Sequence, residues 1–325
     1  MELRALLTWS LLSATSDKVF SIAHCNAMNL RLDRIATLYV VSPLRRLTPR
    51  REASIPILMY HSISGSADRL HGYYGITTTP AIFAAQMESL HASGFRTCSL
   101  GEAIDQLNGA ASTASKSVVL TFDDGYADFY RQAFPVMNRF GFTATVFLPT
   151  AFISGQRVQF LQKDCLTWSE VRELHQNGIR FGSHTVTHPR LRELSTGAIN
   201  DELVNSKNVI EEKLGAAADS FAYPYAFPQA DANFKRVLRE LLQEAGYQNG
   251  VSTIVGRASR KSDPLFIERL PVNSFDDLAL FRAKLAGAYD WIAIPQRFTK
   301  MAKTKVANLR SQPLNSVFSS SSLRS

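Results

Sequence analysis

From residue 54 onward the chain alternates short apolar runs, rich in β-branched residues, with stretches of helical periodicity, and this alternation constrains the fold more than any other feature. Seven runs read as strands: Ile55 to Tyr60, Ser117 to Phe122, Phe142 to Leu148, Ile179 to Ser183, Phe221 to Tyr223, Gly250 to Ile254 and Phe266 to Leu270. Between them lie helix signals. Thr79-Pro80 opens a helix that places Phe83, Met87 and Leu90 on one face and stops at Gly94. Thr167 and Glu170 form a capping box for a helix running through Asn177, Ser195 caps another that reaches Leu214, and Phe275 to Leu285 is a third. Strands separated by helices build parallel sheets, so the expected fold is α/β, a closed or nearly closed (β/α) barrel of about seven strands. In such a barrel reactive groups gather at the carboxyl ends of the strands.

The 325 residues divide accordingly into an N-terminal extension (1–53, partly helical or linker), one catalytic-sized domain (54–296) and a basic, Ser-rich tail (297–325) that reads as disordered. The net charge of +8 belongs to the ends. Residues 1–53 carry eight Lys or Arg against four acids and residues 297–325 carry six against none, which leaves 22 basic and 24 acidic residues in the body. A slightly negative body lacks the basic face that phosphate backbones require, so a nucleic-acid partner is not expected. Cys25, Cys98 and Cys165 form no CxxC pair and suggest no disulfide framework.

The uncharged runs at 5–16 and 19–30 fall short of the roughly 18 to 20 apolar residues of a membrane span, so no transmembrane helix is expected. Ala5 to Ala14 is similar to a short signal-peptide core, but Glu2 offsets Arg4; export stays open, and with it the choice between cell envelope and cytoplasm. Leu30 to Leu44 reads either as a solvated linker or as an amphipathic helix that packs on the barrel or lies on a membrane surface. Arg45, Arg46, Arg50 and Arg51 would favour anionic lipid in the last case.

Two clusters carry chemistry. Thr121-Phe122-Asp123-Asp124-Gly125 closes a strand with adjacent carboxylates, which point in different directions as the chain leaves the strand. One can bind a cation while the other accepts a proton. A plain Asp-Gly turn is the simpler reading of the pair alone, although two carboxylates closing a buried strand need a positive partner, which a metal would supply. His184 and His188, in GSHTVTHP, stand four apart, which brings two imidazoles to one side of a turn or compact loop, as one metal ion requires. Taken alone, that spacing is equally met by core or surface histidines.

Taken together, TFDDGY and SHTVTH resemble the first two motifs of the polysaccharide deacetylases, the family with the NodB-homology domain. The likeness continues through ILMYHSI, QMESLHASGFRTCSL, LTWSEVRELHQNGIRFGSHTVTHPRL and FAYPYA, over about residues 54 to 287. The resemblance implies a distorted (β/α) barrel and one divalent metal held by Asp124, His184 and His188. Zn suits such ligands, and Co, Ni or Mn fit them too. It implies removal of N-acetyl groups from N-acetylhexosamine units of a poly- or oligosaccharide, by water activated at the metal with Asp123 as general base. The tetrahedral oxyanion would be met by the metal and the backbone N–H of Tyr225, beside Pro224, in the third motif.

This third motif departs from the family. Ala222 replaces an Arg that usually contacts the base, and Ala226 replaces a Gly. Arg269, near a strand end, is the candidate substitute; a solvent-facing rim Arg is the plain alternative. The family's late His, a general acid, has no counterpart, because no His follows His188. His61, ending the first strand, could protonate the leaving amine, as could Asp123 returning its proton. Trp168 and Tyr223 are candidates for stacking on a sugar and equally for the core. Two other functions stay open: hydrolysis of another C–N or ester bond (a deformylase, a cyclic-amidase-like enzyme, an acetyl esterase), and a catalytically silent glycan-binding module. The oligomeric state is not expressed in the sequence.

Overall fold

The structure is a computed structural model that describes residues 31–47, 53–65, 75–109 and 116–296. The uncharged runs near the start, Cys25, Arg50, Arg51 and the Ser-rich end lie outside the described residues.

Seven parallel strands close into a barrel: β1 (Ile57–Tyr60), β2 (Lys116–Phe122), β3 (Thr145–Leu148), β4 (Arg180–Ser183), β5 (Ser220–Ala222), β6 (Asn249–Val255) and β7 (Ile267–Pro271). Each pairs with the next in sequence, and β7 returns to β1 through Leu270 opposite Leu58. A further strand, Phe95–Thr97, pairs in parallel with the start of β2 outside the closed ring. The barrel is therefore the simplest winding that the strand–helix alternation allows, with helices returning the chain to the starting end after every strand but β6, from which the short strand Ala258–Ser259 and turns lead to β7. Every strand run expected from the sequence is present. The first is shorter at its start because Pro56, which has no N–H to give a ladder, separates Ser54–Ile55 from Ile57–Tyr60.

The helices begin where their caps stand. Thr79 Oγ1 accepts the Ile82 N–H, Ser195 Oγ accepts the Ala198 N–H, and the Thr167/Glu170 box closes reciprocally. A second box, Ser99 with Glu102, starts helix Leu100–Leu107, and Asp231 caps helix Ala232–Glu244. The last helix is Leu278–Leu285, starting later than expected because Asp277 is its cap. Between β1 and β2 and the helices that follow them the core is aromatic: Tyr60, Phe83, Phe122 and Phe129 pack ring to ring at 4.7–5.9 Å, and all are buried.

Residues 32–47 are helical, with a π-helical turn at Thr37–Val41, and pack on the last helix and the turn after it. Arg31 donates to Asp33 and Asp276, Tyr289 OH donates to Asp33, and Trp291 Nε1 donates to Thr37. Among the described residues no helix is long and apolar enough to cross a membrane.

Candidate active site

The carboxyl ends of the strands carry the site. β1 delivers His61, β2 delivers Asp123 and Asp124, β4 delivers His184, the segment after β5 delivers Tyr225, and Arg269 rises from β7. β2 runs buried from Ser117 to Phe122, so its two terminal carboxylates are also buried. They separate because Asp124 takes a left-handed conformation (φ 70°), followed by Gly125 at φ 59°. Gly125 is required for space as well as for φ: a Cβ there would stand 2.9 Å from Leu148 Cδ2.

Asp123 turns to Arg269. Arg269 Nη1 donates to Asp123 Oδ1 at 2.7 Å and Nη2 to Oδ2 at 2.8 Å, a bidentate pair with the guanidinium only 1% exposed. Two further guanidinium hydrogens go to the Ser252 carbonyl (3.0 Å) and Thr121 Oγ1 (3.1 Å), which fixes the plane of the fork. Burial by itself would push the Asp123 carboxyl up; the Arg269 guanidinium, with His184 and His61 nearby, holds it well below the usual carboxylate range. Asp123 is thus ionised and aimed. His61 Nε2 lies 3.8 Å from Asp123 Oδ2 and is 19% exposed.

Asp124 turns the other way, to the histidines. Its Oδ1 lies 3.5 Å from His184 Nε2 and 3.4 Å from His188 Nε2, and makes no hydrogen bond among the described residues. Those separations are informative, because a tetrahedral ion with bonds of about 2.0–2.1 Å keeps its ligand atoms about 3.4 Å apart. One carboxylate and two imidazoles, all buried and with ligand atoms within 4.8 Å of one another, therefore fit a borderline divalent cation such as Zn. Without a cation, the buried Asp124 Oδ1 would be an unpaid desolvation cost.

The histidines are held from behind. His184 Nδ1 lies 2.8 Å from the Ala222 carbonyl; a carbonyl only accepts, so Nδ1 carries the proton and Nε2 keeps its lone pair for a metal. The His184–His188 segment is a compact loop, with Thr185 at φ 69° and His188 at φ 56°. Glu202, on helix Thr196–Leu214, clamps this loop by accepting the N–H groups of Val186 (2.7 Å) and Thr187 (2.9 Å). Thr185 Oγ1 accepts the His188 N–H at 3.0 Å. Burial, followed by the neighbouring His184, pushes the His188 ring down to about 4 and so favours its neutral, ligating form.

Tyr225 sits at φ 57° on the rim, 45% exposed, its ring 4.6 Å from that of His188 and under Arg190 at 5.2 Å. No described residue accepts its N–H, while its carbonyl accepts from Thr253 Oγ1 at 3.1 Å. Pro224 is buried beneath it. Trp168 and Tyr223 are buried in the core, which removes them from sugar stacking. The contacts made by Ser252, Thr121, Ala222 and Glu202 had no sequence signal of their own, except that Glu202 lies one helical face behind a His loop. Cys98 and Cys165 are buried free thiols.

Comparison with known proteins agrees with this arrangement. Residues 110–250 match the family model described as polysaccharide deacetylase. The chain is 30% identical over 223 residues to YxkH of Bacillus subtilis (strain 168), assigned by name to the polysaccharide deacetylases; the match covers 69% of this chain and 73% of that protein. It is 28% identical over 130 residues to the poly-β-1,6-N-acetyl-D-glucosamine N-deacetylase of Escherichia coli (strain K12), covering 37% of this chain and 19% of that one. In three dimensions it resembles the Streptococcus pyogenes deacetylase PplD, solved in complex with acetate, with a TM-score of 0.62 at 26% identity, covering 73% of this chain and 99% of that one.

Proposed function

The chain belongs to the polysaccharide deacetylase family, and from that premise we propose that it removes N-acetyl groups from N-acetylhexosamine units of a poly- or oligosaccharide. It is an enzyme of the deacetylase type, acting on C–N bonds. The observation that carries the finer reading is the division of labour between neighbours: Asp123 is locked on Arg269, while Asp124 Oδ1 lies between two histidine nitrogens with no hydrogen-bond partner among the described residues.

Asp124, His184 and His188 would hold one divalent ion, which when bound supplies Lewis acidity toward a water and toward the acetyl carbonyl oxygen. Asp123 accepts the proton of the attacking water, and the Arg269 fork keeps the accepting oxygen from rotating away. The Tyr225 N–H, for which no described residue is the acceptor, would donate to the oxygen that becomes negative. Asp123 then returns its proton to the departing amine, which restores the ionised carboxylate; His61, whose Nε2 lies 3.8 Å from Asp123 Oδ2 and which is partly open to solvent, is the alternative donor to that amine.

The relatives suggest the polymer to try first, since one matched protein acts on poly-β-1,6-N-acetyl-D-glucosamine. Acetate release by the metal-loaded chain should be measured on β-1,6-linked N-acetylglucosamine oligomers, chitin oligomers, peptidoglycan and acetylated xylan. Release from an amide-linked glycan is expected. Release from xylan alone would replace the reading with an acetyl esterase, and glycan binding without release from any of them would replace it with a silent module.

A further inference from the structure

The helix of residues 32–47 is built the wrong way round for a surface helix, which ordinarily buries its apolar stripe and shows its polar face to water. The one buried residue of this segment, Thr37, and the buried residue that caps it, Arg31, are both polar, and only Leu38 and Val41 among its large apolar side chains are half-buried. Leu32, Ile35 and Tyr39, then Val40, Leu44 and Leu47, are exposed, each trio at helical spacing, with Tyr39 at 70% and Leu47 at 82%. These are six of the eleven exposed large hydrophobic residues found among the described residues. Packing on the barrel is thus left to polar contacts while the apolar surface is kept outside.

Charge says what would cover it. The acids near this helix are already matched: Asp33 by Arg31, Asp277 by Arg34, Asp290 by Arg45 and Arg257. Beyond the helix the sequence adds Arg50 and Arg51 against Glu52, and the turn at 290–292 that touches the helix leads, past Gln296, into residues 297–325 with six cations and no acid. The 30 residues that precede Arg31 add two uncharged runs and no acid excess. An apolar face whose flanking sequence carries more cations than acids suits an anionic lipid interface, where apolar side chains enter the acyl boundary and cations meet the headgroups.

We propose that residues 32–47 form a docking surface for anionic membranes, holding the barrel against lipid without spanning it. The test uses the full chain, sedimented with phosphatidylcholine vesicles and with vesicles containing about 30% phosphatidylglycerol. Binding is expected to the anionic vesicles, to fall at least about tenfold on raising the salt to 1 M. The triple variant Val40→Ser/Leu44→Ser/Leu47→Ser should bind at least about tenfold more weakly with an unchanged melting temperature, while Leu161→Ser, an exposed apolar residue elsewhere, should bind as the parent does. Parent-like binding by the triple variant overturns the proposal. So does failure to bind either vesicle; if that failure came with a concentration-dependent dimer abolished by the triple variant, the face would belong to a second copy of the chain.

Discussion

Two groups of buried charge lie on this barrel, and they are finished differently. Outside the last helix, Lys284 donates to Asp276 and to the Pro271 carbonyl, each at 2.6 Å, Arg31 reaches Asp276 at 3.4 Å and Asp33 at 2.6 Å, and Tyr289 closes the set on Asp33. None of these side chains is left with a buried atom lacking a partner. At the carboxyl ends of the strands, Asp123 is satisfied, but Asp124 Oδ1 and His188 Nδ1 are buried without one. Buried charge that serves only packing closes on itself, because each open polar atom costs about 1–3 kcal/mol. A buried carboxylate oxygen left open between the Nε2 atoms of two imidazoles is the pattern that a bound cation would complete.

The sharpest way to break this comparison is to remove each carboxylate of the site in turn. Asp124→Ala should empty the metal position and take turnover to background, since two imidazoles alone hold such an ion weakly. Asp123→Asn should keep the metal while turnover falls by about two to four orders of magnitude. Metal content and acetate release measured on both variants decide it; a metal-free Asp123→Asn beside a metal-loaded, active Asp124→Ala would reverse the two roles.

Arg269 comes next, because it belongs to the finished half of the open cluster. Arg269→Lys keeps the charge but not the fork, and should lower turnover about tenfold or more with metal content retained. Parent-like turnover would reduce Arg269 to a structural counter-ion.

The clasp on the outer face should matter to stability and not to the site. We propose that residues 54–296 are the folding unit and that the N-terminal helix is an addition to it. A chain cut to residues 50–296 should stay folded and bind metal, with a melting temperature lower by about 5 °C for the loss of about 2 kcal/mol of contacts. Loss of cooperative unfolding in that chain would make the helix part of the core.

The smallest effect is a pH dependence. Burial would raise the Asp33 carboxyl, but hydrogen bonds from Arg31 and Tyr289 outweigh it and lower the group to about 2, below the ordinary carboxylate value. A depressed carboxylate stabilises the folded state above its unfolded value and ceases to do so as pH falls through the folded one. The stability gap between the parent and Asp33→Asn, about 1 kcal/mol after allowing for partial exposure, should hold steady above about pH 4 and vanish near pH 2. A gap that persists at pH 2 in thermal melts would mean that Asp33 contributes through packing.

The strands were legible because each is a β-branched run between turn signals, and the caps at Thr79, Thr167 and Ser195 were legible because capping side chains are local. Ser99 and Glu102 carried the same signal and start a helix that the sequence reading passed over. The proximity of Asp124, His184 and His188 followed from barrel logic, and Arg269, singled out because Ala222 stands where the family has an Arg, donates to Asp123. What supports them was hidden: Ser252 and Ala222 act through carbonyls, which every residue has. Arg31 meets Asp276 across 245 positions of sequence, a pairing no local pattern encodes.

The winding order of the barrel also sets an order in time. Chains emerge from the ribosome N-terminus first, and Asp124, His184 and His188 all precede the fifth strand, whereas Arg269 stands on the seventh, 146 positions after Asp123. A nascent chain therefore exposes the three proposed ligands well before the arginine that holds Asp123. If the proposed roles hold, cation capture can come early in biogenesis, but hydrolytic competence must wait until the final strand has been translated and the ring has shut.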